Sequence, residues 1–284
     1  MKVFGIYRER SHSPERELDD AAILEQTASR LSDALGCQVP LLEPDLFLEA
    51  GPEGIKGADL IFYMCEERPC LDLLRQAEDA GTILVNPLAG VENTFRHEMA
   101  AVLSRFSFFP ESTILSTENG SRARWREKGL WLKRGDYHAI DAEKDVVLVR
   151  DESAFLKALE SFRLRGIGTV MAQDHVPGDI VKFYAVMDSV SGRVMWFHWF
   201  YHKDQDLKAY PFSQAELRQC CIAAGNEMGL EIYGGDAIVD ERGMIFIIDV
   251  NAWPSFALFR QEASAHIAAL LERKLDQAAG RGRA

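Results

Sequence analysis

Two acidic residues and an asparagine near the end of the chain have the spacing of metal ligands on paired strands. Asp249 and Asn251 end an otherwise apolar run, and a β-strand places side chains two positions apart on the same face. The preceding segment predicts a β-hairpin, because residues 240–243 (Asp-Glu-Arg-Gly) supply turn residues and a glycine. A four-residue loop, 241–244, would place Asp236 opposite Asp249, with the side chains about 5 Å apart.

This pairing would bring two negative charges together, which is unfavourable unless a cation lies between them or one carboxyl is protonated. With the side-chain carbonyl of Asn251 they form three oxygen ligands without His or Cys. Such a set suits a hard cation such as Mg²⁺, with Mn²⁺ as an alternative. The other interpretation is that Asp236 only ends a hairpin and that Asp249 and Asn251 begin a loop. The hairpin alone leaves both interpretations open.

Three basic residues earlier in the chain could place positive charge beside such a metal. Lys133 ends a short apolar strand, and Lys182 lies inside another, on the same face as Tyr184. A cation within an apolar strand is costly without an anionic partner, which favours a functional role for Lys182. Arg96 lies near the start of a predicted helix. For Lys133 the alternative is a solvated strand edge.

The elements that position these residues form two kinds of sheet, so the predicted fold class is α/β with α+β lobes. Over the first 90 residues strands alternate with helices, which predicts a parallel sheet that binds ligands at the carboxyl ends of its strands. The polar loop 8–17 follows the first strand at such an end and could contact a substrate or be solvated. The predicted strands, besides the hairpin, are 2–7, 59–65, 82–87, 129–140, 145–150, 169–176, 179–188 and 193–203. The predicted helices are 19–35, 69–80, 93–106 (capped by Asn93 or Thr94), 152–162, 213–228 and 258–276.

Composition and charge exclude several classes of function. The 284 residues include 32 Lys and Arg against 44 Asp and Glu, and the net charge of −12 argues against nucleic acid and anionic membranes as partners. No stretch has the length of a membrane span, and the first residues lack the apolar run of a signal peptide. Neither a glycine-rich dinucleotide fingerprint nor a Walker-type phosphate loop occurs. Five cysteines without zinc-type spacing predict reduced thiols in a cytoplasmic protein.

Taken in order, the segments from residue 86 to residue 262 resemble the ATP-grasp superfamily. The resemblance implies an ATP-grasp fold, in which ATP lies between two α+β lobes behind an N-terminal Rossmann-like domain. The implied units are the Rossmann-like domain 1–88, the central lobe 89–170, the C-terminal lobe with the metal site 171–276 and a frayed tail 277–284.

The resemblance also implies which residues bind ATP and its metal. Arg96 and Lys133 match phosphate-binding positions, and Lys182 matches a basic residue near the γ-phosphate. The segment MAQDHVPGD, 171–179, resembles the hinge whose backbone holds adenine. The implied linker is Gln173, Asp174, His175 and Val176, and the implied ribose ligand is Asp179 or, in competition with it, Asp174. The implied metal ligands are Asp236, Asp249 and Asn251.

Two segments depart from the pattern of the superfamily. After Lys133 the loop offers only Gly135, where many members have a glycine-rich lid over the phosphates. The metal loop DVNAWPSF has Ser255 where ligases of the superfamily often have glycine, and it resembles the corresponding loop of inositol-phosphate kinases. Both departures bear on the reaction catalysed and leave the ATP site itself untouched.

The resemblance implies a Mg²⁺·ATP-dependent enzyme, and we expect a ligase that joins a carboxylate to an amine or thiol through an acyl phosphate. Its substrate would be a small molecule or peptide, with Lys182 and Arg260 as catalytic residues. Arg260 could bind the substrate carboxylate, and the alternative is a surface arginine of the last helix. The alternatives are a kinase that phosphorylates a hydroxyl and an ATP-binding module without catalysis. Candidate substrate residues are His138, His198 and Ser255, although strand packing would also explain His198. The acceptor and the oligomeric state are left open.

Overall fold

A computed structural model of the chain describes residues 1–12, 16–118, 129–137 and 141–281. Within these residues the strands form three four-stranded sheets, one parallel and two antiparallel. No described helix combines the length and the apolar composition that crossing a membrane requires. The three sheets follow one another along the chain.

The N-terminal sheet is parallel, as predicted, with strand order β2-β1-β3-β4. Its strands are β1 (Val3–Ile6), β2 (Leu41–Leu42), β3 (Leu60–Tyr63) and β4 (Ile83–Val85), and its helices are α1 (Glu17–Leu35), α2 (Pro44–Ile55) and α3 (Arg68–Asp79). The sequence analysis missed β2 and α2. Two residues are too few to show a pattern, and α2 kinks at Gly51, which adopts a φ of 55° and is followed by Pro52.

Two short helices connect the first sheet to the rest of the chain. They are α4 (Leu88–Glu92) and α5 (Arg96–Leu103). The predicted cap at Asn93 or Thr94 is wrong, because Phe95 occupies the N-cap position of α5 and Asn93 ends α4. Asn93 instead donates to the carbonyl of Met228 at 3.1 Å, which ties this connection to the C-terminal lobe.

The central sheet is antiparallel, with order β5-β8-β6-β7. It contains β5 (Ser112–Ser116), β6 (Leu130–Arg134), β7 (Val146–Val149) and β8 (Thr169–Asp174), accompanied by α6 (Ala142–Asp145) and α7 (Glu152–Leu164). The predicted boundary between residues 170 and 171 would cut through β8. Since β8 pairs with β5 and β6 along its whole length, the central lobe extends to Asp174.

The C-terminal sheet is also antiparallel, with order β10-β9-β11-β12. It contains β9 (Asp179–Asp188), β10 (Arg193–Tyr201), β11 (Ile232–Val239) and β12 (Ile245–Ala252), and it lies between α8 (Gln214–Met228) and α9 (Arg260–Arg281). Residues alternate along β9, so that Phe183 packs in the cluster with α8 and Tyr184 in the cluster with α9.

Helix α9 also packs against α1 of the N-terminal domain, which connects the two ends of the chain. Its last turns continue to Arg281, past the predicted end at residue 276, so residues 277–281 of the predicted tail belong to the helix. The remaining residues of that predicted tail, 282–284, lie outside the described part of the chain.

Candidate functional site

A β-bulge brings Asp236 and Asp249 face to face on the hairpin of β11 and β12. The connecting loop, 240–244, has five residues, one more than predicted. Val239 and Ile245, on either side of this loop, form the last pair of the hairpin. An uninterrupted ladder from that pair would set Ile248 opposite Asp236 and turn Asp249 to the other face. The bulge inserts Ile248, so Asp236 pairs with Asp249. The predicted pairing is therefore confirmed, and the predicted four-residue loop is wrong.

Each of the two facing carboxylates lies beside a basic residue of the chain. Lys182, which β9 places directly across from Asp236, donates from Nζ to Oδ1 of that residue at 2.8 Å. Arg96, at the start of α5, donates from Nη2 to Oδ2 of Asp249 at 3.0 Å. The side chain of Arg96 is only 3% exposed. The structure thus brings together four residues that the sequence analysis selected from three separate segments.

Lys133 approaches the same place from the central lobe. Its buried ammonium donates to Oε1 of Gln173 at 2.9 Å and to the carbonyl of Ile248, the bulge residue, at 2.8 Å. Gln173 in turn donates to the hydroxyl of Ser112 at 3.1 Å. Burial lowers the pKa of Lys133 to about 8; Asp249 opposes this shift, while the charge of Arg96 adds to it.

Between the central and C-terminal sheets, Arg96, Lys133, Asp236 and Asp249 border a cleft of about 310 Å³, and Lys182 is not among the described residues that line it. Its apolar lining consists of Trp131, Val146, Val176, Ile180, Ile238 and Ile248. Its polar lining consists of Arg96, Lys133, Gln173, Asp174, Asp236 and Asp249. An apolar slot bordered by paired carboxylates and cations can accept a flat ring together with an anionic group and its metal.

The predicted hinge crosses from one lobe to the other at the edge of this cleft. The backbone N–H of His175 donates to the carbonyl of Gly129 at 3.2 Å, and the indole of Trp131 donates to Nδ1 of His175 at 3.1 Å. Burial lowers the pKa of His175, and the charge of Arg150 lowers it further. Asp174 and Val176 line the cleft itself. The sequence analysis missed Trp131, although it lies two residues before Lys133 and so shares its face of β6.

The two candidates for a ribose ligand have different surroundings. Asp174, at the end of β8, borders the cleft. Asp179 is 1% exposed, and its two carboxylate oxygens accept the backbone N–H groups of Lys208 at 2.7 Å and Tyr210 at 2.9 Å. These bonds hold the segment after β10 against the start of β9, so the geometry favours Asp174 over Asp179.

The four candidates for contact with the substrate are not among the described residues that line the cleft. Arg260 donates from Nη2 to Oδ1 of Asp19 on α1 at 2.5 Å. His198 packs against Phe259, with ring centroids 3.8 Å apart, which agrees with the packing alternative. Ser255 is 6% exposed in the turn after β12. His138 lies outside the described residues.

The donor groups in this site fit a divalent cation and an anion. Two carboxylates face each other, and the register places Asn251 one pleat further along, opposite Gly234. In the described structure Nε and Nη1 of Arg96 are buried without a hydrogen-bond partner. Buried donors of this kind are costly, and an anion such as a phosphate group would satisfy them.

Comparison with known proteins supports the fold through structure rather than through sequence. No family model matches the chain, and no curated protein matches it. A D-alanine–D-alanine ligase from Bacillus anthracis complexed with ATP is similar at a TM-score of 0.71 with 13% identity, over 100% of this chain and 98% of that one. The corresponding ligase from Coxiella burnetii is similar at a TM-score of 0.68 with 13% identity, over 100% and 98%.

A third solved structure contains a peptide. The ATP-grasp ligase PsnB, complexed with the precursor peptide PsnA2 and AMPPNP, is similar at a TM-score of 0.61 with 16% identity, over 96% of this chain and 97% of that one. Near-complete coverage in both directions means that all three sheets take part in the match. The chain therefore has the ATP-grasp fold, as the order of its motifs predicted.

Proposed function

We propose that this chain is a Mg²⁺·ATP-dependent ligase that joins a carboxylate of a small molecule or peptide to an amine or thiol. The observation that carries the proposal is that Lys182 and Arg96 each bond one of two facing carboxylates, those of Asp236 and Asp249, beside an apolar cleft. Lys133 bonds the carbonyl of Ile248, next to Asp249. The ligases that share its fold support this reaction class over others.

In this proposal the nucleotide base occupies the apolar slot between Trp131 and Ile238, beside the hinge that ends β8. Asp174 is the better placed ribose ligand. Asp236, Asp249 and Asn251 would hold Mg²⁺, and Mn²⁺ suits the same oxygen donors. The metal supplies positive charge that offsets the negative charge of the phosphates.

The basic residues of the chain have a defined task when phosphates bind. Lys182 donates to a carboxylate at 2.8 Å and Arg96 to another at 3.0 Å. With those carboxylates holding a metal, both cations would be available to bind phosphate oxygens. Their positions are already set by strands and a helix, so little reorganisation is needed. Acyl activation by ATP needs no nucleophile from the enzyme. Positioning and charge are what these residues provide.

Arg260 remains our candidate for binding the substrate carboxylate. Its Nε is buried without a hydrogen-bond partner in the described structure, while its Nη2 is bonded to Asp19. A substrate carboxylate would bind by taking the unused donor and competing with Asp19 for the other. In this proposal the substrate carboxylate would lie between α1 and α9, on the side of the sheet that also carries Tyr184.

Phosphoryl transfer to a hydroxyl is a second candidate, favoured by the turn after Asn251. Ser255 occupies the position where a glycine would leave backbone amides open to an acyl phosphate, and it is only 6% exposed. On this alternative the same ATP site would serve a kinase.

Hydroxylamine distinguishes the two reactions without knowledge of the natural amine. The full chain is incubated with Mg²⁺·ATP, hydroxylamine and pools of carboxylic acids, amino acids and short peptides. A ligase forms a hydroxamate together with ADP and free phosphate, because hydroxylamine captures the acyl phosphate. A new phosphoester signal in phosphorus NMR without free phosphate would identify a kinase. A chain that binds no Mg²⁺·ATP would contradict both.

A further inference from the structure

Arg8, in the loop after β1, reaches from the N-terminal domain to the backbone that follows the proposed metal ligands. Its Nη2 donates to the carbonyl of Ala252 at 3.2 Å and to that of Trp253 at 2.8 Å. These are the two residues directly after Asn251. The side chain of Arg8 is only 10% exposed, although the sequence analysis left loop 8–17 open between a substrate contact and a solvated loop.

The backbone that Arg8 contacts has an unfavourable conformation. Trp253 and Phe256 adopt φ angles of 39° and 50°, in the left-handed region that residues with a large side chain rarely occupy. Such a conformation persists only where the surrounding structure determines it. Trp253 is fully buried and stacks on Phe62 of β3, with ring centroids 5.9 Å apart. The N-terminal domain therefore holds this turn through the ring of Phe62 and the guanidinium of Arg8.

Two acidic residues of the N-terminal domain orient Arg8. Its Nη1 donates to Oε1 of Glu66 at 3.0 Å, and its Nε lies 3.4 Å from Oδ2 of Asp20. The two carboxylates offset the charge of the guanidinium, so it does not repel a nearby divalent cation as an uncompensated arginine would. A planar guanidinium can contact carbonyls and carboxylates on several sides at once, whereas a lysine ammonium is a single point of charge.

We infer that Arg8 is a positioning residue for the metal site: it holds the turn 252–256 so that Asn251 and Asp249 present their oxygens to one ion. The inference rests on the proposed function, since it assumes that these residues bind a metal. It assigns the N-terminal domain a part in metal binding, through backbone carbonyls rather than through a metal ligand. Groups that orient metal ligands are commonly worth about 10- to 100-fold in metal affinity.

The test compares wild type, Arg8→Met and Arg8→Lys with the control Arg10→Met, which removes an exposed arginine from the same loop. Calorimetry measures binding of AMPPNP with and without Mn²⁺, and electron paramagnetic resonance measures Mn²⁺ in the AMPPNP complex. We expect Arg8→Met to lower the affinity for Mn²⁺ by about tenfold, while AMPPNP without metal binds as tightly as it does to wild type. The Mn²⁺ affinity of Arg8→Lys should lie between those of wild type and Arg8→Met, and the affinity of Arg10→Met should equal that of wild type.

Thermal melting of each variant separates positioning from general loosening. Equal losses of metal-free and metal-dependent binding would show that Arg8 only supports the fold, and wild-type Mn²⁺ affinity in a folded Arg8→Met protein would overturn the inference. If Arg8→Met does not fold, Arg8→Lys decides in the same way. Failure of the proposed function looks different, because wild type itself would then bind no Mn²⁺·AMPPNP.

Discussion

The ammonium of Lys133 donates a 2.8 Å hydrogen bond to the carbonyl of Ile248, the residue that a β-bulge inserts into β12. The bulge therefore has two consequences. It restores the register that sets Asp236 opposite Asp249, and it presents a carbonyl to a lysine of the other lobe. Bulges often occur beside active sites for this reason, since they redirect side chains and release backbone groups from the ladder. One extra residue links the two lobes at the proposed phosphate site.

Asp249→Asn should remove metal-dependent nucleotide binding while the chain stays folded. The amide keeps an oxygen for Arg96 but lacks the negative charge that a divalent cation requires. Weakening a charged hydrogen bond should lower the free energy of unfolding by about 1.5–3 kcal/mol. Calorimetry with Mg²⁺·AMPPNP and chemical denaturation measure the two effects. The matched control is Glu241→Gln in the exposed hairpin loop, and normal metal dependence in Asp249→Asn would rule out this metal site.

ATP affinity should fall as the pH rises through about 8, the pKa to which burial lowers Lys133. Phosphates stabilise the charged ammonium, so binding above that pH must take up a proton. Calorimetry at pH 8.5 to 9 in two buffers of different ionisation enthalpy measures that proton. Lys133→Arg should abolish the uptake, because arginine stays charged. Identical heats in both buffers for wild type would contradict the prediction.

The same lowered pKa predicts the pH dependence of stability in the nucleotide-free chain. Between about 8 and the ordinary value of 10.5, the unfolded chain binds the Lys133 proton and the folded chain does not. The contribution of this residue to stability therefore rises with pH across that window and is smallest below it. Denaturation of wild type and Lys133→Met at pH 7 and pH 10 measures this contribution: the free energy of unfolding should change by a more positive amount with pH in wild type than in the variant.

Lys182→Met should reduce turnover strongly and change stability little. The Lys182–Asp236 pair is 26% exposed on each side, so solvent screens it and its loss should cost at most about 1 kcal/mol. In turnover the loss of a preorganised cation should cost about 100-fold. Because the lysine no longer occupies Asp236, Mn²⁺ alone should bind the variant more tightly than it binds wild type. Lys203→Met, at a side chain 88% exposed, is the control.

Gln173→Leu should weaken ATP binding and destabilise the chain. Gln173 is 1% exposed and bridges Lys133 to Ser112 at 2.9 Å and 3.1 Å, so leucine removes a partner from a buried ammonium. Leaving a buried polar group unsatisfied costs about 1–3 kcal/mol. Ser112→Ala removes only the hydrogen bond between Gln173 and Ser112, so it should lower the free energy of unfolding by less than Gln173→Leu does. A stability equal to that of wild type in Gln173→Leu would show that Gln173 does not support Lys133.

Patterns within short segments allowed much of this protein to be predicted from its sequence. Alternation with period two placed Asp249 and Asn251 on one face and identified Lys182 as a cation in an apolar strand. The alternation of strands and helices predicted the parallel N-terminal sheet, and the resemblance of the motif segments implied the ATP-grasp fold; both are confirmed. The kinked helix α2 escaped prediction, because Gly51 and Pro52 break the spacing that marks a helix.

Contacts between distant segments were decided only by the tertiary structure. The partners of Lys182, Arg96 and Lys133 come from strands as far as 153 residues along the chain. Asp174 and Asp179 compete as ribose ligands in the sequence, and the bonds of Asp179 to backbone amides of a later segment become visible only in the tertiary structure. The periodicity of a segment predicts the face of a strand or helix on which a side chain lies, because local backbone geometry determines that face. The partner that a side chain contacts depends on how separate elements pack against one another, and no local pattern in the sequence shows this packing.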